Sequence, residues 1–200
     1  MMELTPTSVY LVVGLGNPGR DYKHNRHNIG FMILDRLAAR FNESFGRWES
    51  RALVAMAKDQ GVRLILAKPQ TYMNDSGIAI GALARFYKVS LSNMIVAYDD
   101  VDLPFGTLRL RPSGGSAGQK GMQSIIERVG AEDFPRLRFG IGRPPGRMEA
   151  AAYVLQNFNK EEQAYLPQLL DRAVDAIMIY IHNGIERAMT LYNGPSIGDE

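Results

Sequence analysis

The chain has 200 residues, of which 46% are hydrophobic and 22% are charged, proportions typical of a globular domain and unlike those of a disordered chain. It contains no cysteine, which excludes a disulfide scaffold, a cysteine-ligated zinc site and a thiol nucleophile. The formal net charge is only +2, but residues 107–147 carry eight basic residues against three acidic ones, so a polyanionic partner is expected to bind there, with a solvated surface as the alternative.

Short apolar runs separated by polar loops predict strands that alternate with helices. The first strand is nearly continuously apolar, as in a sheet that is buried on both faces. Two of the runs flank Asp59-Gln60-Gly61, which is typical of a hairpin turn. The predicted strands are Val9–Leu15, Arg51–Lys58, Val62–Lys68, Met94–Tyr98, Leu108–Arg111 and Arg136–Ile141.

Helical spacing of apolar residues predicts four helices between and after these strands. The last helix begins at Asn159, where Glu162 completes a capping-box pattern, and runs towards Leu191 with a kink at Pro167. Ser76 is the expected cap of the second helix. The four helices are predicted within residues 29–41, 78–87, 121–129 and 159–191.

This order of elements predicts an α/β fold with a mixed, mostly parallel sheet covered by helices on both faces. We expect one domain over residues 1–200, with flexible tails at residues 1–7 and 193–200. No apolar run approaches the length of a membrane span, and the N-terminus lacks a signal-peptide pattern. A cytoplasmic protein without membrane attachment is therefore expected.

The segment Gly14-Leu15-Gly16-Asn17-Pro18-Gly19 matches the G-x-G-x-x-G pattern of dinucleotide-binding sites. Its context argues against that interpretation, because Pro18 and a polar stretch delay the helix that should open within the motif. Asp35, the acid about twenty residues further on, falls within a predicted helix. A nucleotide-dependent oxidoreductase is therefore kept only as a minor alternative.

His27 is the best candidate for a general base. It precedes a helix beside a glycine-rich strand end, and the ordinary pKa of histidine lies near neutrality. A capping or surface histidine is the alternative, and His182, inside the last helix, is expected to be structural. Asp99, Asp100 and Asp102 follow another strand, where a single carboxylate suffices to orient a histidine. One His–Asp pair acting through water is the simplest chemistry available, with no metal and no cofactor.

Two further segments contain candidate binding residues. In Lys68–Gly77, Asn74 has an amide that can donate or accept, while Tyr72 and Met73 form either a pocket wall or part of the core. The glycine-rich segment 114–121 lies among the arginines and runs into a helix, so it is a candidate phosphate loop, although it lacks the G-K-[ST] ending of a P-loop.

Taken together, the segments GLGNPG, RHNIGF, KPQTYMNDSG, DDVDLPFGTLRLR, GGSAGQKGM and FPRLRFGIGRPPG resemble those of bacterial-type peptidyl-tRNA hydrolases in order and spacing, from Val9 to Gly146. The resemblance implies hydrolysis of the ester between a peptide and the 3′-terminal ribose of tRNA by a monomer with no obligate protein partner. A non-catalytic RNA-binding relative of the same fold is the main alternative.

The resemblance also implies roles for individual residues. It makes His27 the general base that activates water, Asp99 its orienting carboxylate and Asn17 an acceptor for the first amide N–H of the peptide. An asparagine amide or a backbone N–H is expected to stabilise the developing oxyanion. The other implied contacts to the peptide or the tRNA come from Tyr22, Tyr72, Met73, Asn74, Arg109, Arg111 and Arg138.

The chain departs from the family pattern at two places. Gln119-Lys120 stands where the family commonly has His-Asn, and Lys120 cannot accept a hydrogen bond, although it can donate one to a phosphate or ribose. Tyr98 precedes the carboxylate at a position that is often histidine. Because neither change affects His27, Asp99, Asn17 or Asn74, activity is expected to survive.

Overall fold

The computed structural model describes residues 8–195, which form a seven-stranded sheet with helices on both faces. The strand order is β2-β3-β4-β1-β5-β7-β6. The strands are β1 (Val9–Gly14), β2 (Arg47–Glu49), β3 (Ala52–Asp59), β4 (Val62–Pro69), β5 (Met94–Asp100), β6 (Leu108–Arg111) and β7 (Arg136–Gly140). The helices are α1 (Ile29–Arg40), α2 (Ser76–Phe86), α3 (Lys120–Val129), α4 (Ala150–Val154), α5 (Lys160–Asn183) and α6 (Ile185–Tyr192).

The predicted mixed α/β sheet is confirmed: five of the seven strands run in one direction, and three of the six neighbouring pairs are parallel. Strands β4, β1, β5 and β7 run parallel in the centre, whereas β2–β3, β3–β4 and β6–β7 are antiparallel. The antiparallel pairs lie towards the two edges, where β2 and β6 are too short for their sequence pattern to indicate direction. The parallel centre brings the carboxyl ends of four strands to one edge, where ligand sites of α/β sheets form.

Strand residues alternate between two apolar cores. Val12 and Ile95 point to the face covered by α1 and α5, whereas Val13 and Val96 point to the face covered by α2 and α3. This alternation follows from the period of two along a strand. It also determines the face on which each polar residue at the end of a strand emerges.

The helix ends differ from the prediction in two places. Ser76 is the first residue of α2 and donates its hydroxyl to the Met73 carbonyl instead of capping the helix. The predicted capping box of Asn159 and Glu162 is present, but the long helix ends at Asn183, where Gly184 has φ 85° and starts a new axis. Pro167 lies within α5. No helix among residues 8–195 is both long and apolar enough to span a membrane.

Three other features were not predicted. The edge strand β2 and the short helix α4 had no recognised sequence signal, because each has only three to five residues. Residues 193 and 194 are not a free tail: Asn193 Oδ1 accepts from the Leu110 backbone N–H at 2.6 Å, and Gly194 pairs with Leu108. The other predicted tail residues, 1–7 and 196–200, lie outside the described residues.

Glycines in the motif after β1 and at the start of α1 allow close packing between α1 and the sheet. A Cβ atom at Gly30 would lie 2.5 Å from the Ala97 carbonyl oxygen and 2.6 Å from that of Leu15, so only glycine fits. At Gly16 a Cβ atom would lie 2.8 Å from the ring of Phe31. Gly16 and Gly30 therefore allow α1 to approach the ends of β1 and β5. Helix α1 does not open within the glycine motif in the way that a dinucleotide site requires.

We expect Gly30→Ala to lower the free energy of unfolding by about 3 kcal/mol, because the new methyl group meets backbone atoms that cannot move aside. Thermal unfolding checks this, with Gly46→Ala as the matched control, since a Cβ atom at Gly46 has no neighbour within 4 Å. Equal melting temperatures of the two variants would contradict the packing argument.

Candidate active site

His27 and Asp99 form a hydrogen-bonded pair at the carboxyl edge of the sheet. His27 lies in a 3-10 turn, Arg26–Asn28, that leads into α1, and Asp99 lies near the end of β5. Nδ1 of His27 is 2.8 Å from Oδ2 of Asp99, and their side chains are 15% and 3% exposed. Because an ionised carboxylate can only accept, Nδ1 carries the proton and donates it to Asp99. The lone pair of Nε2 is then available to accept a proton.

The three acidic residues around the end of β5 have different partners. Asp99 and Asp100 are adjacent in the strand and so point to opposite faces, Asp99 towards His27 and Asp100 towards Arg138, whose Nε donates to it. Asp102 lies beyond the strand and accepts from Arg143 at 3.0 Å. Of these three carboxylates, Asp99 is the one placed to orient the histidine.

Asn17 is held beside this pair by hydrogen bonds on three sides. Its Oδ1 accepts the backbone N–H of Met73 at 2.9 Å, which fixes the orientation of its amide group. The side chain of Asn28 accepts from the Asn17 backbone N–H and donates to its carbonyl, both at 2.9 Å. Asn28 is buried, and no sequence signal indicated this supporting role.

Asn17, His27 and Asp99 line a cleft of about 480 Å³. One part of its wall is the loop 116–119 with Lys120 at the start of α3, and another part is α4 with Leu155. Leu155 is 44% exposed, so this wall presents apolar surface to solvent. The cleft therefore combines a polar floor with an apolar side, a composition common in ligand sites.

Hydrogen bonds connect the end of α4 to the turn that contains His27. Asn25 donates its side-chain amide to the Leu155 carbonyl, and the backbone N–H of Arg26 donates to the Gln156 carbonyl at 2.9 Å. The buried guanidinium of Arg26 also donates to Glu162 at 2.6 Å and lies 4.4 Å from the centre of the Tyr153 ring. Because these contacts join residues about 130 positions apart in the chain, no local sequence signal indicated them.

A basic hollow of about 430 Å³ adjoins the cleft. It is lined by Arg111, Arg136 and Arg138 and shares Tyr98 and Ala117 with the cleft wall. Arg136 is buried and donates to the carbonyl groups of the glycine-rich loop and of residues 132 and 134, so its charge holds that loop in place. Burial raises the pKa of Tyr98, which keeps its hydroxyl protonated at neutral pH.

Not every predicted contact residue reaches the cleft. Tyr22, Tyr72, Met73 and Asn74 are absent from its lining. Met73 is buried, with 5% of the residue exposed, whereas its neighbours Tyr72 and Asn74 are exposed. Arg109 is half-buried and lines neither the cleft nor the basic hollow. None of these five residues lines the cleft that contains His27 and Asp99.

A second hollow, of about 670 Å³, lies on the other side of Asn17. Its lining includes the apolar side chains of Phe31, Met32, Leu53 and Leu170. Asn17 is thus the wall common to this hollow and the cleft.

Comparison with known proteins assigns the chain to a family. A family model described as peptidyl-tRNA hydrolase matches residues 11–199. The chain is 48% identical over 187 residues to a peptidyl-tRNA hydrolase of Herpetosiphon aurantiacus, covering 93% of this chain and 91% of that protein. It is 49% identical over 179 residues to one of Mycobacterium tuberculosis, covering 89% and 94%. A crystal structure of peptidyl-tRNA hydrolase from Acinetobacter baumannii superposes with a TM-score of 0.86 at 29% identity, covering 94% of this chain and 97% of that one.

Proposed function

The chain belongs to the peptidyl-tRNA hydrolase family, and on that premise we propose that it hydrolyses peptidyl-tRNA with His27 as the general base and Asp99 as the carboxylate that orients it. The observation that carries the proposal is the 2.8 Å hydrogen bond from His27 Nδ1 to Asp99 Oδ2 in the cleft. In the neutral imidazole this bond places the proton on Nδ1 and leaves the lone pair of Nε2 free, which is the form that a base requires.

In the reaction, Nε2 of His27 removes a proton from a water molecule as the water oxygen attacks the ester carbonyl carbon. Asp99 stabilises the imidazolium that forms. When the tetrahedral intermediate collapses, the bond from the acyl carbon to the ribose oxygen breaks, and the ribose oxygen takes the proton from the imidazolium. The products are a tRNA with a free 3′-terminal ribose and a peptide carboxylic acid, which ionises.

Asn17 would recognise the blocked amino group of the substrate through its amide group. The family resemblance implies that its oxygen accepts the first amide N–H of the peptide; this oxygen already accepts the Met73 N–H and keeps a second lone pair for the peptide. The Nδ2 group suits a carbonyl oxygen, which the N-acyl group of peptidyl-tRNA supplies. A free aminoacyl-tRNA presents an ammonium group instead, which can only donate and therefore meets Nδ2 unfavourably.

The test compares Asn17→Ala with Asn17→Asp on N-acetylaminoacyl-tRNA and free aminoacyl-tRNA. We expect Asn17→Ala to lose most of the preference for the blocked substrate. We expect Asn17→Asp to shift the preference towards the free substrate, because a carboxylate attracts the ammonium group. The ratio of the two kcat/KM values is the measurement, and an unchanged ratio in both variants would contradict this role.

Arg111 and Arg138 are the proposed contacts to tRNA phosphate. Arg111 is exposed, both residues line the basic hollow beside the cleft, and Arg138 uses its Nε for Asp100 while its two terminal nitrogens remain for an oxyanion. Lys120 on the cleft wall is placed to donate to a phosphate or the ribose near the 3′ end. The test is to measure tRNA affinity at increasing salt concentrations. We expect the affinity to fall steeply if these residues contact phosphates, and an affinity that does not change with salt would count against these contacts.

We also propose that the chain acts as a cytoplasmic monomer on the acceptor arm of its substrate. A single chain contributes both walls of the cleft and the basic hollow, so the site is complete within one copy. Light scattering of the free protein and of its complex with tRNA measures the stoichiometry, and a dimer in the complex would oppose the proposal.

A further inference from the structure

Gln119 links the carboxylate of Asp99 to the start of α3. Its Nε2 lies 3.2 Å from Asp99 Oδ1 and 3.3 Å from the sulfur of Met73. Its Oε1 accepts the backbone N–H of Met122 at 2.7 Å, which makes Gln119 the N-cap of α3. Because the Met122 N–H can only donate, Oε1 must be the oxygen, and the Nε2 amine must therefore face Asp99.

The two oxygens of Asp99 thus have separate donors, His27 on Oδ2 and Gln119 on Oδ1. We propose that Gln119 is a positioning residue that holds Asp99 in the rotamer in which it orients His27. The proposal rests on the proposed function of the His27–Asp99 pair. It concerns a position at which this chain departs from the common family pattern.

Three features make this role specific to the side chain of Gln119. The amide group of Gln119 donates to Asp99 and also accepts from the first turn of α3, so the helix N-terminus supports the carboxylate. The side chain of Asp99 is only 3% exposed, so water cannot easily replace the donor. The neutral amide also adds no charge to a cleft whose charged side chains are Asp99, Asp100 and Lys120, with Asp100 already paired to Arg138 and Tyr98 protonated.

The first test is Gln119→Asn, which retains a good N-cap but is one methylene too short to reach Asp99. We expect kcat for N-acetylaminoacyl-tRNA to fall about tenfold to a hundredfold while KM and the melting temperature stay unchanged, as for other residues that orient a reactive group. The ring nitrogen resonances of His27 should shift, since its Nδ1–H partner becomes mobile. With only three histidines in the chain, these resonances are readily assigned from a His27→Ala sample.

The second test is Gln119→Glu, which also retains the cap but places a carboxylate against Asp99. The added negative charge favours the protonated imidazole, so the acid limb of the pH profile of kcat should move to higher pH. Gln123→Glu is the matched control, because it adds the same charge one turn along α3, where Gln123 is exposed and contacts Glu127. That control should leave the profile in place.

The outcomes separate the two proposals. Unchanged kcat and unchanged His27 resonances in Gln119→Asn would overturn the positioning role. A rise in KM alone would also overturn it, because Gln119 would then contact the substrate. If His27→Ala were fully active, the proposed function of the His27–Asp99 pair would fail instead. Comparison of the His27 resonances in Gln119→Asn with those in the unmodified chain would still show whether Gln119 orders the pair.

Discussion

Replacing His27 with alanine is expected to lower kcat for N-acetylaminoacyl-tRNA by about 10²–10⁴-fold. The variant keeps the cleft and its tRNA contacts but loses the nitrogen that removes a proton from water. KM should change little, because the imidazole acts on the water and not on the tRNA. Single-turnover hydrolysis at saturating substrate measures the chemical step directly.

The matched control is His182→Ala. His182 also pairs with an aspartate, since its Nε2 lies 2.8 Å from Oδ2 of Asp59, the same separation as in the His27–Asp99 pair. It lies on α5 and does not line the cleft. Loss of activity in both variants would indicate general destabilisation, and full activity of His27→Ala would reject the proposed mechanism.

Asp99→Asn is expected to lower kcat by about 10³–10⁴-fold without removing any heavy atom from the site. Gln119 donates to one side of residue 99, so the amide oxygen of the introduced asparagine will turn towards Gln119 and its NH₂ group towards His27. An amide donor at Nδ1 forces the proton of the neutral imidazole onto Nε2, where the base must be free. The variant should therefore fold and bind tRNA but hydrolyse it slowly.

Asp59→Asn provides the comparison, because it makes the same change in the His182 pair outside the cleft. Its kcat should equal that of the unmodified chain. The ring nitrogen resonances of His27 should report the opposite tautomer in Asp99→Asn only. If both histidines kept their tautomers while activity was lost, the orienting role of Asp99 would be wrong.

Periodicity predicted the central elements well because their burial is strong and local. Strands β1, β3, β4 and β5 and helix α1 match their predicted ranges to within about two residues, since each contains a continuous apolar face. The prediction ended β5 at Tyr98 because Asp99 and Asp100 look like a loop, but both carboxylates are paired and remain in the strand. The apolar pattern therefore ended the strand two residues too early.

The site residues also divide into those that a local sequence signal indicated and those that it did not. The family motifs indicated His27, Asp99 and Asn17 because each lies in a recognisable segment beside a strand or helix. The motifs also indicated Asn74 and Tyr22, which do not line the cleft; both lie in short 3-10 turns, where the direction of a side chain depends on its packing. The supporting contacts of Arg26, Asn28 and Gln119 join distant residues and had no local signal.

The amino-acid sequence alone determined the α/β class, the order of most elements, the family resemblance and the residue types available for catalysis, because these depend on local periodicity and contiguous motifs. Only the tertiary structure showed the hydrogen bond between His27 and Asp99, the orientation of the Asn17 amide group and the contact of Gln119 with Asp99. Each of these depends on strand register and on the approach of α1 and α3 to the sheet, which involve residues far apart in the chain.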